Sequence, residues 1–184
     1  AYLPHTDTYI EKDCAINDEL EKMRLAATKD LLERHDVIIV SSVSCIYGLG
    51  ELTEYRDLAV KFAVGDTCGR GDLVARLVAA QYTRNDLDYA PGNFRVRGDT
   101  VDIFPAYATE GIRVDFFGDE IDAIHALSVP DFRMGVAMPA AVVTPAKQFV
   151  MPKDKMEAAY GRIEAELKER LADFEGAKKY LEAQ

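Results

Sequence analysis

The chain has 184 residues, 48% hydrophobic and 29% charged, which excludes a wholly disordered or collagen-like polypeptide and allows one or two domains with a sizeable core. With 22 Lys and Arg against 32 Asp and Glu the formal charge is −10. The chain as a whole therefore repels phosphate, and only a local basic patch would support nucleic-acid binding. Cys14, Cys45 and Cys68 form no CxxC pair and sit at no metal-ligand spacing, so they read as reduced, cytoplasmic cysteines. The longest apolar run, Val37 to Val40, is too short to span a bilayer, and no membrane association is expected.

Taken in chain order, a polar, extended stretch leads to a predicted helix. Ile16, Leu20, Met23, Ala27 and Leu31 keep one face of a 3.6-residue period, with Asn17 as N-cap and Asp18 and Glu19 at the positive end of the dipole. Val37-Ile38-Ile39-Val40 is apolar at every position, the pattern of a strand covered on both faces. No second strand of that type follows, so the stretch reads as part of a larger α/β domain. The chain opens without methionine and closes inside a helical pattern, so both ends read as cut from a longer protein.

From residue 58 the character changes. Asp72 can cap a helix carrying Leu73, Leu77, Val78 and Tyr82 and stopping near Asn85. Period-two segments follow at Phe94 to Arg97, Val101 to Phe104 and Ile112 to Phe116, with turn signals at Gly98-Asp99 and Gly118-Asp119. Short links mean hairpins, hence an antiparallel sheet with packed helices, an α+β arrangement. Pro152 suits the first turn of a last, long helix whose stripe runs through Met156, Tyr160, Ile163, Leu167, Leu171, Phe174 and Leu181. That stripe and the Val37–Val40 strand are expected to bury against each other or against another copy.

The chemistry-bearing patterns are few. No Walker A glycine loop occurs, and Gly48-Leu49-Gly50 does not complete a dinucleotide fingerprint because position 53 is Thr. Asp99, Asp102, Asp115, Asp119, Glu120 and Asp122 lack calcium-loop spacing and fit a solvated sheet face better than a cation site. The histidines are scattered and no serine sits in a nucleophile elbow, so neither catalytic nor metal-ligating residues are expected. The arginines stand out in an acidic chain. Arg95 and Arg97 are two apart on one strand and share a face. Arg113 takes the same kind of position on a neighbouring strand, and Arg84 ends the helix nearby. Their forks suit carboxylate or phosphate recognition. Pairing across the strands with Asp99, Asp102 and Asp115 is the equally weighted alternative, at under about 1 kcal/mol per exposed pair. Tyr2 and Tyr9 lie in a polar ribbon where aromatics can stack on bases or simply fray.

Six segments carry a resemblance: Ala1 to Pro4, Thr6 to Asp13, Ser42 to Gly50, Gln81 to Asn85, Phe94 to Asp99 and Asp102 to Ala106. In order and in wording they resemble the UvrB family, the damage-verifying subunits of bacterial UvrABC nucleotide excision repair. Departures fall at Tyr107 to Gly111, about a residue short, and at 129–140; neither touches a motif. The resemblance implies a fragment of a superfamily 2 helicase-like protein. Residues 1–57 would be a partial RecA-like domain with half of a DNA-clamping β-hairpin, 58–150 the UvrA-interaction domain, and 151–184 a helix leading back to the first domain. It implies that Tyr2 and Tyr9 contact DNA and that Arg84, Arg95, Arg97, Arg113 and Asp115 bind UvrA. UvrC and damaged DNA would be partners of the longer protein only, as ATP and Mg2+ would be its cofactors, with none held by this fragment. Self-association and a bacterial cytoplasmic location complete the expectation. A UvrA-binding module of a transcription-repair coupling factor, or a free-standing nucleic-acid-binding module, are the alternatives; the match at Tyr2 to Asp13 favours the first reading.

Overall fold

Two glycine-led turns organise the main sheet of the computed structural model, which describes residues 2–3, 8–9, 18–42, 52–129, 131–151 and 153–181. Ten strands are described: β1 (Tyr2–Leu3), β2 (Thr8–Tyr9), β3 (Val60–Ala63), β4 (Thr83–Arg84), β5 (Asn93–Arg97), β6 (Thr100–Ile103), β7 (Gly111–Phe117), β8 (Glu120–Leu127), β9 (Met134–Ala137) and β10 (Ala140–Val143). Gly98-Asp99 joins β5 to β6 and Gly118-Asp119 joins β7 to β8. Both glycines have positive φ, +58° and +65°, as tight two-residue hairpins require. The six-stranded sheet runs β4-β5-β6-β7-β8-β9, antiparallel except for the short parallel pair β4–β5. Strands β3 and β10 pair separately and antiparallel. The Thr67–Glu120 bridge and the Gly65 amide donating to the Ile121 carbonyl tie that pair's flank to β8.

Helix α3 (Arg70–Ala79) lies on one face of the sheet. Leu73 and Leu77, one turn apart, and the following Ala80 are fully buried against Phe94, Val101, Ile103, Val114, Ile121 and Ile124, with Val60, Phe62 and Val143 closing the core. Each such leucine contributes roughly 1.5–3 kcal/mol through burial. The sequence pattern predicts Asp72 as the cap and a helix through Tyr82 to near Asn85. Instead Gly69 is the N-cap and Asp72 lies in the first turn. The helix stops at Ala79 because Gln81 turns to φ +66°. Tyr82 then leaves the helix and donates its hydroxyl to the Thr144 carbonyl, 2.9 Å. Tyr55, in α2 (Leu52–Asp57), and Tyr107 do the same to Pro145 and Val142, so three phenols hold the 142–145 segment.

Helix α1 (Asp18–Glu33) forms where expected, but its expected face is wrong. Leu25 is the buried residue, Leu20, Met23 and Leu31 are exposed and Ala27 is half-buried, while Ile16 and the expected cap Asn17 lie outside the described residues. Residues 37–40 form no strand; Ile38 and Val40 are almost fully exposed. A fully buried strand needs neighbours on both edges and both faces, and no described residue supplies them. Helix α4 (Lys153–Gly176) also forms as expected, supported by Lys153–Glu157 and Glu164–Lys168 pairs one turn apart. Its stripe is open: Tyr160, Ile163 and Leu167 are each more than half exposed, so it does not cover residues 37–40. The sequence pattern does not predict β3, β4, β8, β9 or β10, and Arg84, expected to end the helix, lies instead in β4.

Candidate functional site: an arginine row across the sheet

The register of the sheet lines up chemistry that the sequence spreads from Arg95 to His125. Arg95 lies opposite Asp102, Asp102 opposite Arg113, and Arg113 opposite His125, forming one row across β5, β6, β7 and β8. The adjacent row holds Arg97, Thr100, Asp115 and Ala123. Both rows lie on the face away from α3, because Val96, Val101, Val114 and Ile124 alternate with them and pack into the core.

Asp102 is the hub. Its Oδ2 accepts from Arg95 Nε at 2.7 Å and lies 2.7 Å from Arg95 Nη2 in an ion pair. Arg113 meets it as a fork, Nε to Oδ1 at 2.7 Å and Nη2 to Oδ2 at 2.9 Å. Burial pushes the Asp102 carboxyl up, but the hydrogen bonds and charges of Arg113 and Arg95 more than reverse this and hold it below the usual carboxylate range. Arg113 is raised in turn, chiefly by its hydrogen bonds to Asp102.

Arg95 is therefore not an exposed arginine, as the alternation implied. Its side chain is 7% exposed against 22% for Arg113. The reason is a second layer over this face. The Arg95 guanidinium lies 3.9 Å from the Phe132 ring centre and 5.1 Å from that of Tyr89. Tyr89 stacks on Phe104 at 5.2 Å. Phe132 is placed by a turn in which its amide donates to the Ser128 carbonyl and its own φ is +55°. The cross-strand pairing with Asp102 that the sequence allowed is realised, but in a buried setting where the exposed-pair magnitude does not apply.

The remaining arginines stay apart from this pair. Arg84 forks onto the Asp86 carboxylate at 2.9–3.3 Å, and Asp86 also accepts from the Val96 amide at 3.0 Å. The Arg84 hydrogen bonds, then the Val96 amide and the charge of Arg97, hold the Asp86 carboxyl below its ordinary value. Arg97 is exposed at the end of β5. Asp115 accepts from the Thr100 hydroxyl at 2.8 Å and stands 3.9 Å from His125 Nδ1. So four of the five polar residues chosen from sequence, Arg95, Arg97, Arg113 and Asp115, share one side of the sheet, and of these Arg97, Arg113 and Asp115 reach solvent; Arg84 is exposed on the edge strand β4, in register with the core residue Phe94. Asp102, whose role as hub the sequence reading missed, had a legible signal: an aspartate alternating with Val101 and Ile103 in a strand flanked by arginine-bearing strands. Tyr2 and Tyr9 are cross-strand partners in the β1–β2 pair. Among the described residues no group of His, Cys, Asp and Glu could hold a metal ion, and no helix is long and apolar enough to cross a membrane. The Ser42 to Gly50 segment, apart from Ser42 itself, lies outside the described residues, as do Cys14 and Cys45.

Comparison with known proteins gives the frame for this geometry. Residues 60–149 match the UvrB interaction domain family. Along its whole length the chain is similar to proteins named UvrABC system protein B, with 48% identity to that of Methanothermobacter thermautotrophicus, 51% to that of Staphylococcus saprophyticus and 47% to that of Methanobrevibacter smithii. The chain spans 28% of the length of these relatives.

Proposed function

We propose that this chain, which matches the UvrB interaction domain over residues 60–149 and is similar to UvrABC system protein B along its whole length, docks onto UvrA through the sheet face that bears Arg97, Arg113 and Asp115, with Arg84 at the edge strand beside it. The observation that carries this reading is the row register, which sets two solvent-reaching arginines, Arg97 and Arg113, and one carboxylate, Asp115, on a single face of an otherwise acidic chain, with Arg84 exposed on the edge strand. Guanidinium forks on a rigid sheet suit carboxylates of a protein partner. The net charge of −10 disfavours phosphate as the main ligand.

The longer protein acts in nucleotide excision repair in the cytoplasm, with UvrC and damaged DNA as further partners and ATP with Mg2+ as its cofactors. This segment itself carries no ATPase, since the sequence holds no phosphate loop. Tyr2 and Tyr9, directly opposite in register, belong to the DNA-clamping hairpin. Similarity along the whole chain to UvrABC system protein B favours this assignment over a coupling-factor module or an independent nucleic-acid-binding module.

The test is titration of the 184-residue chain with UvrA, read by co-elution on gel filtration and by affinity. Saturable binding, weakened by Arg97→Ala and by added salt, is expected. No complex with UvrA would overturn the function. Wild-type affinity in Arg84→Ala, Arg97→Ala and Arg113→Ala alike would move the docking surface elsewhere.

A further inference from the structure

Resting on the UvrA-docking reading, we propose that Asp102 is a positioning residue for that surface: from beneath the sheet face it fixes the Arg113 guanidinium in the orientation a partner carboxylate meets. Four distances carry the argument. Asp102 spends both oxygens on two arginines, at 2.7 Å to each of two Arg95 nitrogens, and at 2.7 and 2.9 Å to Arg113. Arg95 is locked on the far side under Phe132 and Tyr89, so the carboxylate cannot swing. With Nε and Nη2 of Arg113 turned to Asp102, Nη1 is the nitrogen left outside the pair. An unrestrained arginine must surrender rotamer freedom on binding, whereas this one has surrendered it on folding. In this arrangement Arg95 contributes to docking without touching the partner, and Arg113 touches it.

The experiment measures UvrA affinity of the full chain as a double-mutant cycle of Asp102→Asn and Arg113→Ala, with Arg113→Lys as a separate variant and circular dichroism to establish folding. Asp102→Asn is expected to weaken binding ~10-fold in the native background and by less than ~2-fold once Arg113 is Ala. A purely structural role would give the same loss in both backgrounds and overturn the inference. If Asp102→Asn does not fold, Arg113→Lys decides, because lysine keeps the charge and loses the fork. A loss matching Arg113→Ala supports positioning; native affinity overturns it. Weakened binding in Arg113→Ala with native affinity in Asp102→Asn and Arg113→Lys leaves the docking surface standing and removes only this inference. Native affinity in Arg113→Ala itself overturns the inference, and the docking reading then stands or falls on Arg84→Ala and Arg97→Ala.

Discussion

Arg95 and Asp102 face each other across β5 and β6 with Nη2 and Oδ2 2.7 Å apart, and both are almost fully buried. The pair separates two arginines that look alike in the sequence. Arg95→Ala is expected to cost about 3–5 kcal/mol of folding free energy, because it leaves the buried carboxylate short of a partner. Arg97→Ala, at an exposed position, is expected to stay within about 0.5 kcal/mol. Denaturant midpoints of the two variants check this; equal midpoints would refute the burial of Arg95 as the source of the difference.

Gly111 gives a steric prediction. A Cβ at this position would press on the Tyr89 hydroxyl and lie 3.1 Å from the Ile103 carbonyl oxygen. Gly111→Ala should therefore destabilise by about 1–3 kcal/mol. Tyr89→Phe removes the hydroxyl, which has no hydrogen-bond partner despite its burial, and should recover part of the loss. Additive effects in the double variant would contradict this contact.

The phenols of the core make the protein sensitive to alkali. Burial pushes Tyr55 up to about 12 and raises Tyr82, Tyr89 and Tyr107 as well. A group whose folded value is raised contributes stability that is fully present below its unfolded value, about 10 for tyrosine, and is lost as pH rises towards the folded one. Stability should hold up to about pH 10 and fall between there and about 12. Tyrosinate absorbance followed alongside far-ultraviolet circular dichroism should show these phenols ionising together with unfolding. Ionisation of every tyrosine with the fold intact would contradict it.

Acid should act in the opposite sense through Asp102, whose folded value is depressed. Its contribution is present above the ordinary carboxylate range and lost as pH falls through the folded value. Asp102→Asn should flatten the acid limb of the stability curve. An unchanged limb would assign acid lability to other carboxylates.

A purified preparation of the chain should hydrolyse no ATP, with or without UvrA and DNA, beyond the rate of the partners themselves. Turnover that tracks the concentration of this chain would reject that expectation.

Local pattern by itself determined a good deal of this protein. Alternation placed β5, β6 and β7, the Gly-Asp pairs placed two hairpin turns, and helical spacing placed α1, α3 and α4, because each of these signals lies within one turn or one strand. Six short motifs pointed to the family later matched at residues 60–149. What only the tertiary structure decided is which residues have water beside them. Alternation assigns Arg95 and Arg97 to one face, but the aromatic layer from residues 89 and 132 covers the first and leaves the second open. Leu20, Met23 and Leu31 of the α1 stripe are exposed and Leu25 is buried, since a core forms where another element offers apolar surface. The Val37–Val40 run, apolar throughout, found no described strand to pair with. Period and propensity act within a segment, whereas burial and ion pairing depend on what the rest of the chain brings alongside.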